Sequence, residues 1–114
     1  MLYFKNTVSE QDNRIVYFEA LSDDVSVGSC TLVLGEKYAE VTELDFDNKS
    51  IFIAEGLLKS AYNYAALKNY YMAKCSVSNI DSLLVRIGFE LTDGEYMNDI
   101  PTILMGSCNS CSNK

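Results

Sequence analysis

Between Tyr38 and Phe46 the apolar residues change parity. Ala39 and Val41 fall on one face of an extended chain, whereas Leu44 and Phe46 follow Val41 at an odd spacing. Side chains of a strand alternate with period two, so a flat strand would put one of these pairs into water. One surplus residue near Thr42-Glu43 removes the conflict: a bulge restores a single apolar face, bends the strand, and opens a gap beside its next neighbour. The alternative is an ordinary strand buried on both faces.

The elements that follow define what the gap can become. Asp47-Asn48 offers an N-cap, and Ala54, Leu57, Leu58, Ala61 and Ala65 then repeat at helical spacing until Lys68-Asn69. Residues 70–75 read as a buried strand, and a strand, helix, strand passage of this length predicts a right-handed crossover into a parallel pair. Residues 80–87 form a second helix, introduced by Ser78 or Asn79 and stopped by Gly88 in the left-handed conformation. Upstream, residues 14–21, 27–34 and 38–46 make an antiparallel meander, with residues 2–5 as an edge strand before it. Downstream, residues 89–92 and 100–105 are expected to pair as a terminal hairpin across Asp93-Gly94. The fold class is therefore α+β: a mixed antiparallel and parallel sheet with a bulged strand and two helices. A helix N-terminus stands at the mouth of the cleft, where its unpaired amides favour an anion.

The 114 residues, 48% of them apolar, suffice for one core, read as a single domain over residues 1–107 with a tail from 108 to 114. A net charge of −7 without histidine argues against nucleic acid, whose recognition starts from a basic patch. The same charge would attract small-molecule amines or basic peptides, or keep the protein soluble. No apolar run is long enough to span a membrane, and Met1-Leu2-Tyr3-Phe4-Lys5-Asn6 lacks the pattern of a signal peptide, so a cytoplasmic location is expected.

The order of elements and three passages resemble the GNAT superfamily, the GCN5-related N-acetyltransferases. The passages run from Tyr38 to Leu44, from Gly56 to Ala61, and from Leu83 through Gly88 to Phe89. The resemblance spans residues 14–105 and implies that acetyl-CoA, as acyl donor, binds between the two splayed strands with its pyrophosphate on the helix-start amides. No metal is implied. It also implies the cofactor-binding residues: Leu44 and Phe46 on the bulged strand, Lys49, Phe52, Ile53 and Ala54 at the helix start, and Asn79 before the second helix.

Four departures stand out against that pattern. Phe52 occupies the position where the family's glycine lets the backbone approach a phosphate, and Lys49 replaces the usual Arg or Gln. The family's proton-donating tyrosine falls on Leu84, which has no proton to give. The entrance helices that wall the family's acceptor pocket are reduced or absent. A pocket for the amine would then come from a partner subunit, as in a homodimer, or from the terminal hairpin. The bulged strand offers Glu43 and Glu40 as catalytic bases acting on the ammonium through water, each also readable as a solvated strand carboxylate.

Cys108-Asn109-Ser110-Cys111 is a separate feature, readable as a tail without chemistry, a redox pair or half of a metal site. Cys30 and Cys75 read as small core hydrophobes. Two functions stay open: an N-acetyltransferase acting on an amine, and a catalytically inactive GNAT-like module that binds a ligand or protein.

Overall fold

The computed structural model describes residues 1–47 and 50–105. Lys49, Asn48, Cys108 and Cys111 lie outside the described residues. Seven strands form one sheet: β1 (Leu2–Val8), β2 (Ile15–Ser22), β3 (Val25–Leu34), β4 (Tyr38–Phe46), β5 (Met72–Cys75), β6 (Glu90–Thr92) and β7 (Glu95–Asp99). Their order is β1-β2-β3-β4-β5-β7-β6, and only β4 and β5 run parallel. Helix α1 (Ile51–Leu67) connects those two strands, and α2 (Asp81–Ile87) follows β5. The expected bulge is present: Thr31 faces Glu43 and Leu32 faces Val41, so Thr42 is the surplus residue.

The helices lie on one face of the sheet because only that face is apolar. Phe18, Cys30, Leu32, Ala39, Val41 and Cys75 are buried there, against Ile53, Leu57, Leu58, Ala61 and Tyr62 of α1. The opposite face carries Tyr17, Thr31, Val33, Glu40, Glu43 and Lys74, all half-buried or exposed. Among the described residues no helix is long and apolar enough to cross a membrane.

Several local expectations are corrected. Helix α1 starts from Ser50 rather than Asp47-Asn48, and Ser50 makes no side-chain cap bond. Its C-terminus closes with Asn69 at φ +73°, where the Asn69 and Tyr70 amides return to the carbonyls of Ala66 and Ala65. The residue before α2 is Ile80 rather than Ser78 or Asn79; Asn79 itself is left-handed at φ +68°. Gly88 ends α2 at φ +117°, as expected.

The largest correction concerns the terminal hairpin. Its second strand is β7, immediately after Asp93-Gly94, with Thr92 opposite Glu95. Both turn residues have positive φ, +53° and +81°, which is the two-residue turn whose twist matches a hairpin. Residues 100–105 are helical instead. Asp99 caps that turn by accepting the Thr102 N–H at 2.7 Å, and Pro101 sits in the first turn, where its missing N–H is harmless.

Candidate functional site

Strands β4 and β5 pair from Tyr38–Met72 to Val41–Cys75 and then part. The last bond between them runs from the Ser76 N–H to the Val41 carbonyl, 3.1 Å. Beyond it β4 continues to Phe46 bonded to β3, while the chain after β5 turns away towards α2. The split falls at the bulge, because the surplus Thr42 re-aims the rest of β4.

At the α1 end of β4 lies a cavity of about 530 Å³ lined by Gly28, Asp45, Phe46, Asp47, Ser50 and Ile53. Leu44 and Phe46 are half-buried on the helix face, opposite Cys30 and Gly28. The first amides of a helix have no intrahelical acceptor and α1 has no acidic residue in its first turn, which suits an anion, whereas Asp45 and Asp47 bring two carboxylates to the same cavity. The Ile53 N–H is already taken by the Ser50 carbonyl at 2.9 Å. Side chains of Ile53 and Ala54 are buried in the core, leaving only their backbone for a ligand. Phe52 lies 61% exposed, so its ring projects from the first turn instead of packing into the core. A smaller cavity, about 150 Å³, joins Ile51 to Ser82, Leu83 and Arg86 of α2. Arg86 donates to Glu55 at 2.7 Å, and Lys59 meets the same carboxylate at 3.1 Å.

At the other end of the split, Glu40, Lys74, Cys75, Ser76, Asp81 and Tyr96 line a cavity of about 370 Å³. Lys74 pairs with Glu95 at 3.1 Å, and this hydrogen bond holds its ammonium pKa above the ordinary value. Desolvation, and then the hydrogen bond to Asp81, raise the Tyr96 phenol, which keeps it protonated at neutral pH. Burial pushes the Cys75 thiol up to about 11, so it is a poor nucleophile despite lining the cavity.

Of the two glutamates singled out in the sequence, Glu40 lines this cavity, while Glu43 is exposed on the same sheet face and accepts from the Thr31 hydroxyl at 3.1 Å. Asn79 is exposed in the loop between β5 and α2. Leu84 is fully buried in the core. Tyr96, like Tyr3, could replace the missing acid in principle although nothing in the sequence spacing selects either, and Lys74, Asp81 and Glu95 carry no sequence signal of their own. The signal that would have found them is the Asp93-Gly94 turn: a two-residue connection places Tyr96 opposite Cys75 at the end of β5. Among the described residues no group of three or more His, Cys, Asp or Glu could hold a metal.

A scan against protein-family models and a search of curated proteins return no match. Solved structures do match in fold. The PaiA N-acetyltransferase of Thermoplasma acidophilum, in complex with coenzyme A, aligns at TM-score 0.65 and 20% identity over 74% of this chain and 58% of its own. An acyl-CoA N-acyltransferase by description from Klebsiella pneumoniae aligns at TM-score 0.74 and 12% identity, covering 88% of this chain and 98% of that one. The Escherichia coli protein YhhK, bound to coenzyme A, aligns at TM-score 0.66 and 11% identity over 87% and 98%. The chain therefore has the fold of the GNAT acetyltransferases, and it spans less than two thirds of the Thermoplasma protein's length.

Proposed function

We propose that this protein is a short acyl-CoA-dependent N-acetyltransferase whose acceptor is a cationic amine. The observation that carries the reading is the parting of β4 from β5 after Val41–Cys75, with a seventeen-residue helix beginning just past the end of β4. The fold neighbours bound to coenzyme A support it. In this reading the α1 amides and Arg86 receive the phosphates, and the split receives the pantetheine arm. Acetyl-CoA supplies an activated acyl group as a thioester.

Glu95 is paired with Lys74 in the second cavity, which leaves the carboxylates of Glu40 and Asp81 to attract an ammonium. Glu40 then accepts a proton from it through water, while the walls of the split hold the amine in line with the acyl carbon. The second reading, a GNAT-like module that binds without catalysing, is favoured by Leu84 and Phe52. Leu84 is buried and protonless where a donor is usual, and Phe52 has a side chain where close phosphate approach needs none.

Calorimetric titration with acetyl-CoA separates the readings. Wild-type protein is expected to bind weakly and Phe52→Gly more tightly, although the glycine costs about 1 kcal/mol of helix stability. Because Phe52 is 61% exposed, little packing is lost with it. Tight wild-type binding that disappears in Phe52→Gly would make the ring part of the cofactor site. No binding by either protein would favour the non-catalytic module.

A further inference from the structure

The free edge of β1 is unusually complete. Strand β1 is seven residues long, stands at the end of the sheet order, and has no strand beyond it among the described residues. Its ladder to β2 fixes which backbone groups are used. The Ser9 N–H bonds the Ile15 carbonyl and the Asp23 N–H bonds the Met1 carbonyl, so odd-numbered residues of β1 face β2. By alternation, Leu2, Phe4, Asn6 and Val8 each direct an N–H and a carbonyl outward. Most sheets blunt such an edge with a proline, a bulge or several charges. Here Lys5 is the strand's only charged residue, and its register with β2 is unbroken from Leu2 to Val8.

Several apolar side chains near the edge are exposed to solvent. Leu2, Tyr3 and Val8 are each about two-fifths exposed, and Leu67 of α1 is 76% exposed. A groove of about 210 Å³ runs between β1 and α1, lined by Phe4, Asn6, Ser60, Asn63 and Leu67 among others. An added strand would fill it with side chains on its helix-facing side.

We infer that β1 is a self-pairing edge, through which two copies of this chain join by a two-fold axis at Lys5 into one continuous sheet. The sequence of β1 is self-complementary about that axis. Antiparallel pairing places Leu2 opposite Val8 of the second copy and Phe4 opposite its Asn6, all on the helix face beside the groove. Every outward donor then meets an outward acceptor, because the even-numbered residues pair only with even-numbered ones. Lys5 meets its own counterpart on the far face, but each Lys5 also lies 3.9 Å from Glu19 on the neighbouring strand, so the axis carries two ion pairs rather than two bare cations. Contact limited to one strand and a groove lies at the small end of stable interfaces, which makes the dimer weak and concentration-dependent. Two chains of charge −7 also repel, so screening strengthens this dimer where it would weaken one held by salt bridges.

Sedimentation velocity on the full chain tests the inference. Wild-type protein should dimerise as concentration rises towards millimolar, more readily at high ionic strength. Asn6→Pro removes an outward N–H and no bond to β2, so its circular dichroism should match wild type. The two-fold axis doubles the loss, and the dimer dissociation constant should rise roughly tenfold to a hundredfold. A second variant, Leu2→Glu with Val8→Glu, keeps the backbone intact and sets acidic groups opposite one another across the axis; it should be monomeric, and it decides the matter if Asn6→Pro fails to fold. A wild-type protein that stays monomeric at high salt and near-millimolar concentration overturns the inference, as does a dimer that persists in the double-glutamate variant.

Discussion

Raising the pH from about 9 to about 12 is expected to unfold this protein, with buried thiols adding to the effect of its growing negative charge. Burial pushes the Cys30 thiol from an ordinary value of 9.0 up to about 12 and the Cys75 thiol up to about 11. Burial also holds the fully enclosed Tyr62 phenol well above its ordinary range. In the unfolded chain these groups ionise at their ordinary values; in the native state they stay protonated. Unfolding therefore releases protons above pH 9, and stability falls as pH climbs until the native values are passed. At about 1.4 kcal/mol per pKa unit, Cys30 withdraws of the order of 4 kcal/mol and Cys75 of the order of 3 kcal/mol. Losses of that size rival a typical domain stability of about 5–15 kcal/mol. Far-UV circular dichroism during an alkaline titration under reductant should show a cooperative loss in this window. In Cys30→Ala with Cys75→Ala the midpoint should move to higher pH; an unchanged midpoint would mean that the thiols do not drive the transition.

Replacing Tyr62 by alanine is expected to be the most damaging single truncation in α1. The side chain is fully buried, its hydroxyl donates to the Lys74 carbonyl on β5, and its ring meets Phe89 edge-on at 5.6 Å between centroids. One residue thus holds the crossover helix to the strand it leads into and to the segment after α2. Removing the ring leaves a cavity worth about 3–5 kcal/mol. Tyr62→Phe keeps the ring and removes only the hydroxyl's hydrogen bond, at about 1 kcal/mol. Urea denaturation should show both as shifts in midpoint at constant slope, with alanine several times the larger; equal shifts would place the whole effect in the hydroxyl.

The sequence made β4, its bulge and α1 legible because each is written as a change or a persistence of period. Ala39 and Val41 against Leu44 and Phe46 record the bulge, and the stripe from Ala54 to Ala65 records the helix. Residues 100–105 were not legible in the same way. Their apolar run carries no period that separates a strand from a short buried helix, and the deciding signals, Asp99 as cap and Pro101 in the first turn, are single residues. That misplacement hid half of the candidate site. Glu40 lies on a strand whose register could be read locally and stands opposite Lys74 in the β4–β5 pair, but Asp81 and Tyr96 join them only through the pairing of β5 with β7 and the approach of α2. Such meetings are set by tertiary contacts that no local pattern encodes. The pyrophosphate end was read from the resemblance, and there the physical content lies in one side chain, Phe52, whose exposure the sequence left open.

The whole opening between β4 and β5 rests on an offset of one. On either side of Thr42 the pairing with β3 is regular, and the apolar faces of the two halves of β4 coincide only because that residue is skipped. Deleting Thr42 would leave Val41, Leu44 and Phe46 on the helix side of the sheet, with the core unchanged in composition. The straightened strand would be free to run on beside the chain after Cys75, and amides of residues beyond Ser76 should then gain protection from hydrogen exchange. A chain one residue shorter would keep its seven strands and lose its interior doorway, so whether this protein receives a ligand at all depends on a miscount in its own ladder.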